Sequence, residues 1–178
     1  MVARSRPRPA PVPGSLADRP PAPEPCAAAR PDDATVMGWL AQVPDPEIPA
    51  ISLVDLGVVR GLAWRDGMLE VSVTPTYSGC PATVVIEQAV VEALRVRGVA
   101  ARVRRQIAPP WTTDWITRAG RAKLAADGIA PPDPAGPRAC PRCRSPRVEM
   151  VSRFGSTPCK AQWRCLSCLE PFDAFKCH

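Results

Sequence analysis

Histidine is nearly missing from this chain: one residue in 178, and that one, His178, is the last. A Cys-His or Ser-His-Asp catalytic centre needs an imidazole beside a nucleophile, so both are set aside. A di-iron carboxylate–histidine site is set aside too, because its Glu-x-x-His motifs are absent. Aromatic residues make up only 5% of the chain, with one tyrosine and three phenylalanines. That is sparse for a protein that stacks single-stranded bases on interleaved aromatics. There is no Gly-rich phosphate loop and no dinucleotide fingerprint. No apolar run approaches a membrane span, and the Arg/Pro-rich N-terminus lacks the apolar core of a secretory signal. The expectation is a cytoplasmic protein without membrane contact, in which any oxidative chemistry belongs to another subunit.

Cysteine and proline, by contrast, are plentiful, at 8 and 24 residues. Cys140-Pro-Arg-Cys143 and Cys165-Leu-Ser-Cys168 are two Cys-x-x-Cys pairs. Such a turn directs two thiolates at one point, and two facing turns make a tetrahedral sulfur site whose usual occupant is Zn²⁺. The loop between the pairs is slightly longer than the customary spacing of about 15–20 residues. The pattern predicts a zinc ribbon with structural Zn²⁺ on Cys140, Cys143, Cys165 and Cys168. Clustering of the cysteines near the C-terminus argues against a secreted disulfide scaffold and for a reducing cytosol. The net charge is +6, and residues 138–178 carry eight basic against three acidic groups. A basic ribbon can meet nucleic acid, an acidic protein surface or a phosphorylated ligand, or be a solvated surface with no ligand.

Along the chain, residues 1–31 read as a disordered Arg/Pro/Ala-rich tail that includes Cys26, to which no role is given. Residues 32–128 read as a small α/β domain, 129–138 as a Pro-rich linker and 139–178 as the ribbon. Asp32 or Asp33 caps a first helix with Val36, Met37, Leu40 and Val43 at helical spacing. Val58–Trp64 and Met68–Thr74 read as a hairpin around Asp66-Gly67. A helix follows from about Pro81 to Arg97 with a buried stripe of Val85, Ile86, Ala89, Val90 and Ala93. A third strand runs from Val99 towards Ile107, and Thr113 or Asp114 caps a last helix reaching about Asp127. The fold class is α+β, an α-β-β-α-β-α domain followed by a β zinc ribbon.

Cys80 is the first chemical candidate. It stands in a Gly-containing loop where a helix begins, a place that lowers a thiol's pKa and suits a nucleophile, a redox thiol or a soft-metal ligand. The plainer alternative is a small buried residue. Asp45 and Glu47, held by the prolines of Asp45-Pro-Glu-Ile-Pro49 and followed by Asp55, can ligate iron or form turns and caps. Trp111 and Trp115 read as packing over a sheet edge, or else as a partner contact. Cys159 and Cys177 lie outside the paired turns, as a second metal or redox pair or as small residues packing near the zinc core.

Asp45-Pro-Glu-Ile-Pro49, Ser52-Leu-Val-Asp-Leu-Gly57 and Thr74-Pro-Thr-Tyr-Ser-Gly-Cys-Pro81 resemble the signature segments of iron–sulfur cluster assembly and targeting proteins. Adding Trp111-Thr-Thr-Asp-Trp115, Phe154-Gly-Ser-Thr-Pro-Cys-Lys160 and Glu170-Pro-Phe-Asp-Ala-Phe-Lys-Cys177, residues 33–177 resemble the D-type subunits of bacterial phenylacetyl-CoA epoxidases. The resemblance implies an accessory, non-catalytic role in aerobic phenylacetate degradation. Cys80 would be its functional thiol, holding a transient iron or iron–sulfur cluster, with Asp45 and Glu47 as supporting carboxylates. Its implied partners are the other epoxidase subunits, including the di-iron oxygenase or the iron–sulfur reductase. The alternatives are a purely structural adaptor and, least favoured, a nucleic-acid-binding ribbon protein.

Overall fold

Asp32 opens the first ordered element by accepting a hydrogen bond from the Thr35 N–H at 2.7 Å. Helix α1, Asp33–Leu40, then buries Val36 and Leu40, four residues apart on one face. In this computed structural model, residues 30–77 and 79–177 are described. The expected tail, with Cys26, therefore falls almost wholly outside the described residues, as does His178.

Strands β1 (Val59–Arg65) and β2 (Met68–Val73) pair antiparallel across Asp66-Gly67. Helix α2 (Thr83–Arg95) then carries the chain to β3 (Ala101–Arg105), which lies parallel to β2. The sheet order β1-β2-β3 leaves β2 central. Alternation along β2 sends Leu69, Val71 and Val73 into the core at 0–1% exposure. The opposite face carries Glu70, whose carboxylate sits among Arg102 at 3.0 Å, Arg104 at 3.1 Å and Arg65 at 3.5 Å.

Three local expectations are corrected. The buried stripe of α2 is Thr83, Ile86, Val90 and Leu94, spaced three, four and four residues apart, which leaves Val85 half exposed. Ile107 lies beyond the end of β3 and is 69% exposed. The last helix does not start at Thr113 or Asp114. Thr113–Trp115 is one 3₁₀ turn, Ile116 is extended, and the helix restarts at the next good cap, Thr117, which accepts from the Gly120 N–H at 2.9 Å. Helix α3 is accordingly Arg118–Ala126.

The interruption has a packing cause. Gly57 has φ +73°, and a Cβ there would lie 2.5 Å from the Trp115 carbonyl oxygen, so the 52–57 turn and the Trp115 turn touch backbone to backbone. Trp111 is 4% exposed and donates its indole N–H to the Leu56 carbonyl at 3.0 Å. The Arg60 guanidinium lies 3.5 Å from the centre of the Trp115 ring. Both tryptophans therefore pack onto the turn that follows α1.

The second sheet is an antiparallel meander, β4 (Val148–Ser152), β5 (Lys160–Cys165) and β6 (Pro171–Phe175). Its own core is small, gathered from Ala130, Cys140, Cys165, Phe172 and Ala174. The stretch joining it to α3 is engaged at its start. Ile129 is buried in the α/β core, and Ala130 exchanges two 2.9 Å hydrogen bonds with Asp173 and Phe175 of β6. Two ribbon residues, Cys159 and Phe175, are buried in the α/β core rather than in the ribbon's own. Phe175 meets Trp111 with ring centres 5.9 Å apart. Among the described residues no helix is long and apolar enough to cross a membrane.

Candidate functional site

The ribbon's four paired cysteines converge: their sulfurs all lie within 4.8 Å of one another. Cys140 Sγ and Cys168 Sγ are 3.8 Å apart, and Cys143 Sγ and Cys165 Sγ 3.5 Å. A tetrahedron of thiolates with metal–sulfur bonds of about 2.3 Å has sulfur–sulfur edges of about 3.8 Å. A disulfide would need about 2.05 Å. The donor set and its spacing thus fit one tetrahedral metal ion. The two turns are alike: Arg144 and Leu169, each directly after its pair, have φ of 63° and 62°. Each first cysteine donates its N–H five residues ahead, Cys140 to Ser145 at 2.9 Å and Cys165 to Glu170 at 3.0 Å. The Cys165 sulfur accepts from the N–H groups of Ser167 at 3.3 Å and Cys168 at 3.5 Å. The Cys168 N–H foremost draws the Cys165 thiol down to about 6, whereas the thiol of Cys168 is pushed up to about 12, so of this pair Cys165 is the first to offer a thiolate.

A second gathering of side chains is not adjacent in sequence. A small cavity of about 10 Å³ is lined by Asp45 and Glu47 from the turn after α1, Cys80 from the loop before α2, and Cys159 from the ribbon. Ile48, Leu56, Ile86 and Phe175 supply its apolar wall. Asp45 is 6% exposed, and its Oδ1 accepts from the N–H groups of Glu47 and Ile48, both at 2.9 Å. That carboxylate therefore holds the shape of the Asp45–Pro49 turn. Burial pushes the carboxyls of both Asp45 and Glu47 up, and for Glu47 the Asp45 charge adds to it. Asp55 stands apart from them. Its carboxylate accepts from Ser52 at 2.9 Å, Thr117 at 3.0 Å and Lys123. Burial alone would raise Asp55, but these partners outweigh it and hold the group below the usual carboxylate range.

Cys80 is half-buried, and the expected lowering of its pKa is reversed. Burial pushes the thiol up, and the Glu47 and Asp45 charges add to it. The Ala82 N–H and the Thr83 hydroxyl act the other way and are outweighed. Burial is the larger effect here, although α2 begins close by at Thr83 after the cap Ala82.

Cys159 is 4% exposed and Cys177 exposed. Cys159 reaches the cavity because its loop is pinned. Thr157–Lys160 closes a turn, with the Lys160 N–H on the Thr157 carbonyl at 3.0 Å and Pro158 at the position that favours proline. Asp173 of β6 accepts from Ser156 and pairs with Lys160 Nζ at 3.1 Å. A Cβ on Gly155 would lie 2.7 Å from that Asp173 carboxylate. The Lys176 N–H fastens the Cys159 carbonyl at 2.9 Å. Lys160 itself is only 5% exposed, and its charge lowers Asp45, Glu47 and Cys159 against the burial that raises them. Tyr77, the chain's one tyrosine, is raised by burial and then by Cys80, Glu47 and Cys159 together. Sequence reasoning passed over Tyr77 and Lys160. The one signal for them was their place inside the motifs that hold Cys80 and Cys159.

Two domain profiles match the chain: an iron–sulfur cluster assembly protein over residues 33–104, and a PaaD zinc beta ribbon domain over residues 130–176. A protein of Escherichia coli K12 described as the D-type subunit of 1,2-phenylacetyl-CoA epoxidase is 45% identical over 150 residues, covering 80% of this chain and 91% of its own. The Fe-S protein maturation auxiliary factor YitW of Bacillus subtilis 168 is 34% identical over 92 residues, covering 50% of this chain and 89% of its own. A solved domain of unknown function from Bacillus anthracis is 26% identical with a TM-score of 0.47, over 51% of this chain and 89% of its own. An assembly-type α/β domain joined to a four-cysteine ribbon, matched over nearly all of the E. coli protein, places this chain in the family of D-type phenylacetyl-CoA epoxidase subunits.

Proposed function

We propose that the chain is an accessory subunit of a phenylacetyl-CoA epoxidase that assists assembly or upkeep of an iron or iron–sulfur centre in a partner subunit. The observation that carries this reading is the cavity that sets the Cys80 thiol beside Asp45 and Glu47. The thiol and the Glu47 carboxylate form a mixed donor set suited to a borderline divalent ion such as Fe²⁺, with Asp45 supporting the turn that presents Glu47. The cluster-assembly profile over this part of the chain and the maturation-factor name of the Bacillus subtilis relative support the same direction. Because burial holds the Cys80 thiol protonated, cargo binding displaces a proton, and release is favoured when that proton returns. Zn²⁺ on Cys140, Cys143, Cys165 and Cys168 would be structural, folding a ribbon whose own apolar core is small. The client is the di-iron oxygenase or the iron–sulfur reductase of the same system.

The test is co-production of the epoxidase subunits with the wild-type chain or with Cys80→Ser. The expected result is a loss of both epoxidase activity and client iron with Cys80→Ser. Unchanged activity and client iron, with the variant chain still bound to the complex, would replace this reading with that of a structural adaptor.

A further inference from the structure

Cys159 has no part in the ribbon's tetrahedral site. The four paired cysteines are complete without it, and it is buried in the other domain's core. Its loop is held by Asp173, Lys160 and Lys176, with Gly155 close against the Asp173 carboxylate. That amounts to strong positional control over one small residue. The same cavity is lined by Cys80, Asp45 and Glu47. Its volume of about 10 Å³ is at the limit for a single water. A cluster of several irons and sulfides does not fit in that space without the ribbon lifting away.

We propose that Cys80 and Cys159 together, with Glu47 as the hard donor, form a second, mononuclear metal site that the ribbon closes over its cargo ion. The proposal rests on the reading of Cys80 as a metal-carrying thiol and adds the second thiol. Asp45 is assigned to positioning, since its Oδ1 is taken by two backbone N–H groups. Lys160, buried beside the acids, offsets the negative charge of the donor set. Binding is a ligand exchange without electron transfer. A divalent ion forms two metal–sulfur bonds, and the two thiol protons pass to solvent buffer. Two thiolates and a carboxylate suit ferrous iron or the ions that substitute for it.

The experiment titrates Co²⁺ anaerobically into the full chain whose ribbon is already filled with zinc. The wild type is expected to take one further ion with a thiolate-to-cobalt absorption band. Cys159→Ser and Cys159→Ala are expected to lower the intensity of that band and to weaken binding by at least about 100-fold, since outer partners of metal ligands alone command about 10–100-fold. Cys80→Ser is expected to do the same and Cys177→Ser to change nothing. One zinc per chain retained in each variant reports that the ribbon remains folded. Wild-type binding and band in both Cys159 variants, with loss in Cys80→Ser, would overturn the role of Cys159 while sparing that of Cys80. No band in the wild type would overturn the second site altogether.

Discussion

Asp45 shows how one residue serves shape and chemistry at once. Its Oδ1 fastens two backbone N–H groups in a buried turn. Asp45→Ala leaves both donors unsatisfied and is expected to lower stability by about 1–3 kcal/mol in denaturant unfolding. Asp45→Asn keeps the acceptor and should recover most of the loss. Cys80 makes a prediction in pH. Its thiol is raised by burial, so alkylation by iodoacetamide should reach half its maximal rate above the ordinary thiol value of about 8.5. A midpoint below that value would contradict the buried site. The same shift has a stability consequence, shared with Cys159. A folded pKa above the unfolded one gives a contribution that is intact below about pH 8.5 and lost as pH rises through the folded value. The melting temperature should therefore fall on the alkaline side, and fall less in Cys80→Ser.

At the scale of elements, short-range chemistry was legible and contact-dependent chemistry was not. The Asp66-Gly67 hairpin, the Asp32 cap and the paired cysteines each depend on neighbours a few residues away. The exposure of Val85 was missed because the register of α2 depends on which face meets the sheet. The start of α3 was missed for a related reason. Thr113 is a good cap in isolation, but the Trp115 turn must lie against Gly57. Gly57→Ala tests that contact. The left-handed backbone alone costs about 1–2 kcal/mol in a non-glycine residue, and a Cβ 2.5 Å from the Trp115 oxygen adds to it. The expected outcome is a loss larger than that figure in denaturant unfolding. A variant as stable as the wild type would show that the two turns separate at no cost.

At the scale of the whole molecule, the ribbon is more than an appendage, since Cys159 and Phe175 complete the core of the α/β domain. This convergence was beyond the sequence: Cys80 and Cys159 are far apart along the chain and line one cavity only through the docking of one domain on the other. Stripping the ribbon's metal should therefore be felt at a distance. Displacing it with a mercurial reagent and chelator is expected to loosen the loop that holds Cys159 and to speed alkylation of Cys80. An unchanged Cys80 rate would argue that the cavity persists without the ribbon. Metal analysis decides whether Cys80 carries iron while the paired cysteines hold a structural ion. Wild type, Cys80→Ser and Cys143→Ser would be purified anaerobically, offered ferrous iron and freed of excess. The expected outcome is zinc lost in Cys143→Ser but not in Cys80→Ser, and iron bound by the wild type but lost in Cys80→Ser. Iron retained at the wild-type level in Cys80→Ser would contradict the assignment of the cargo to that thiol.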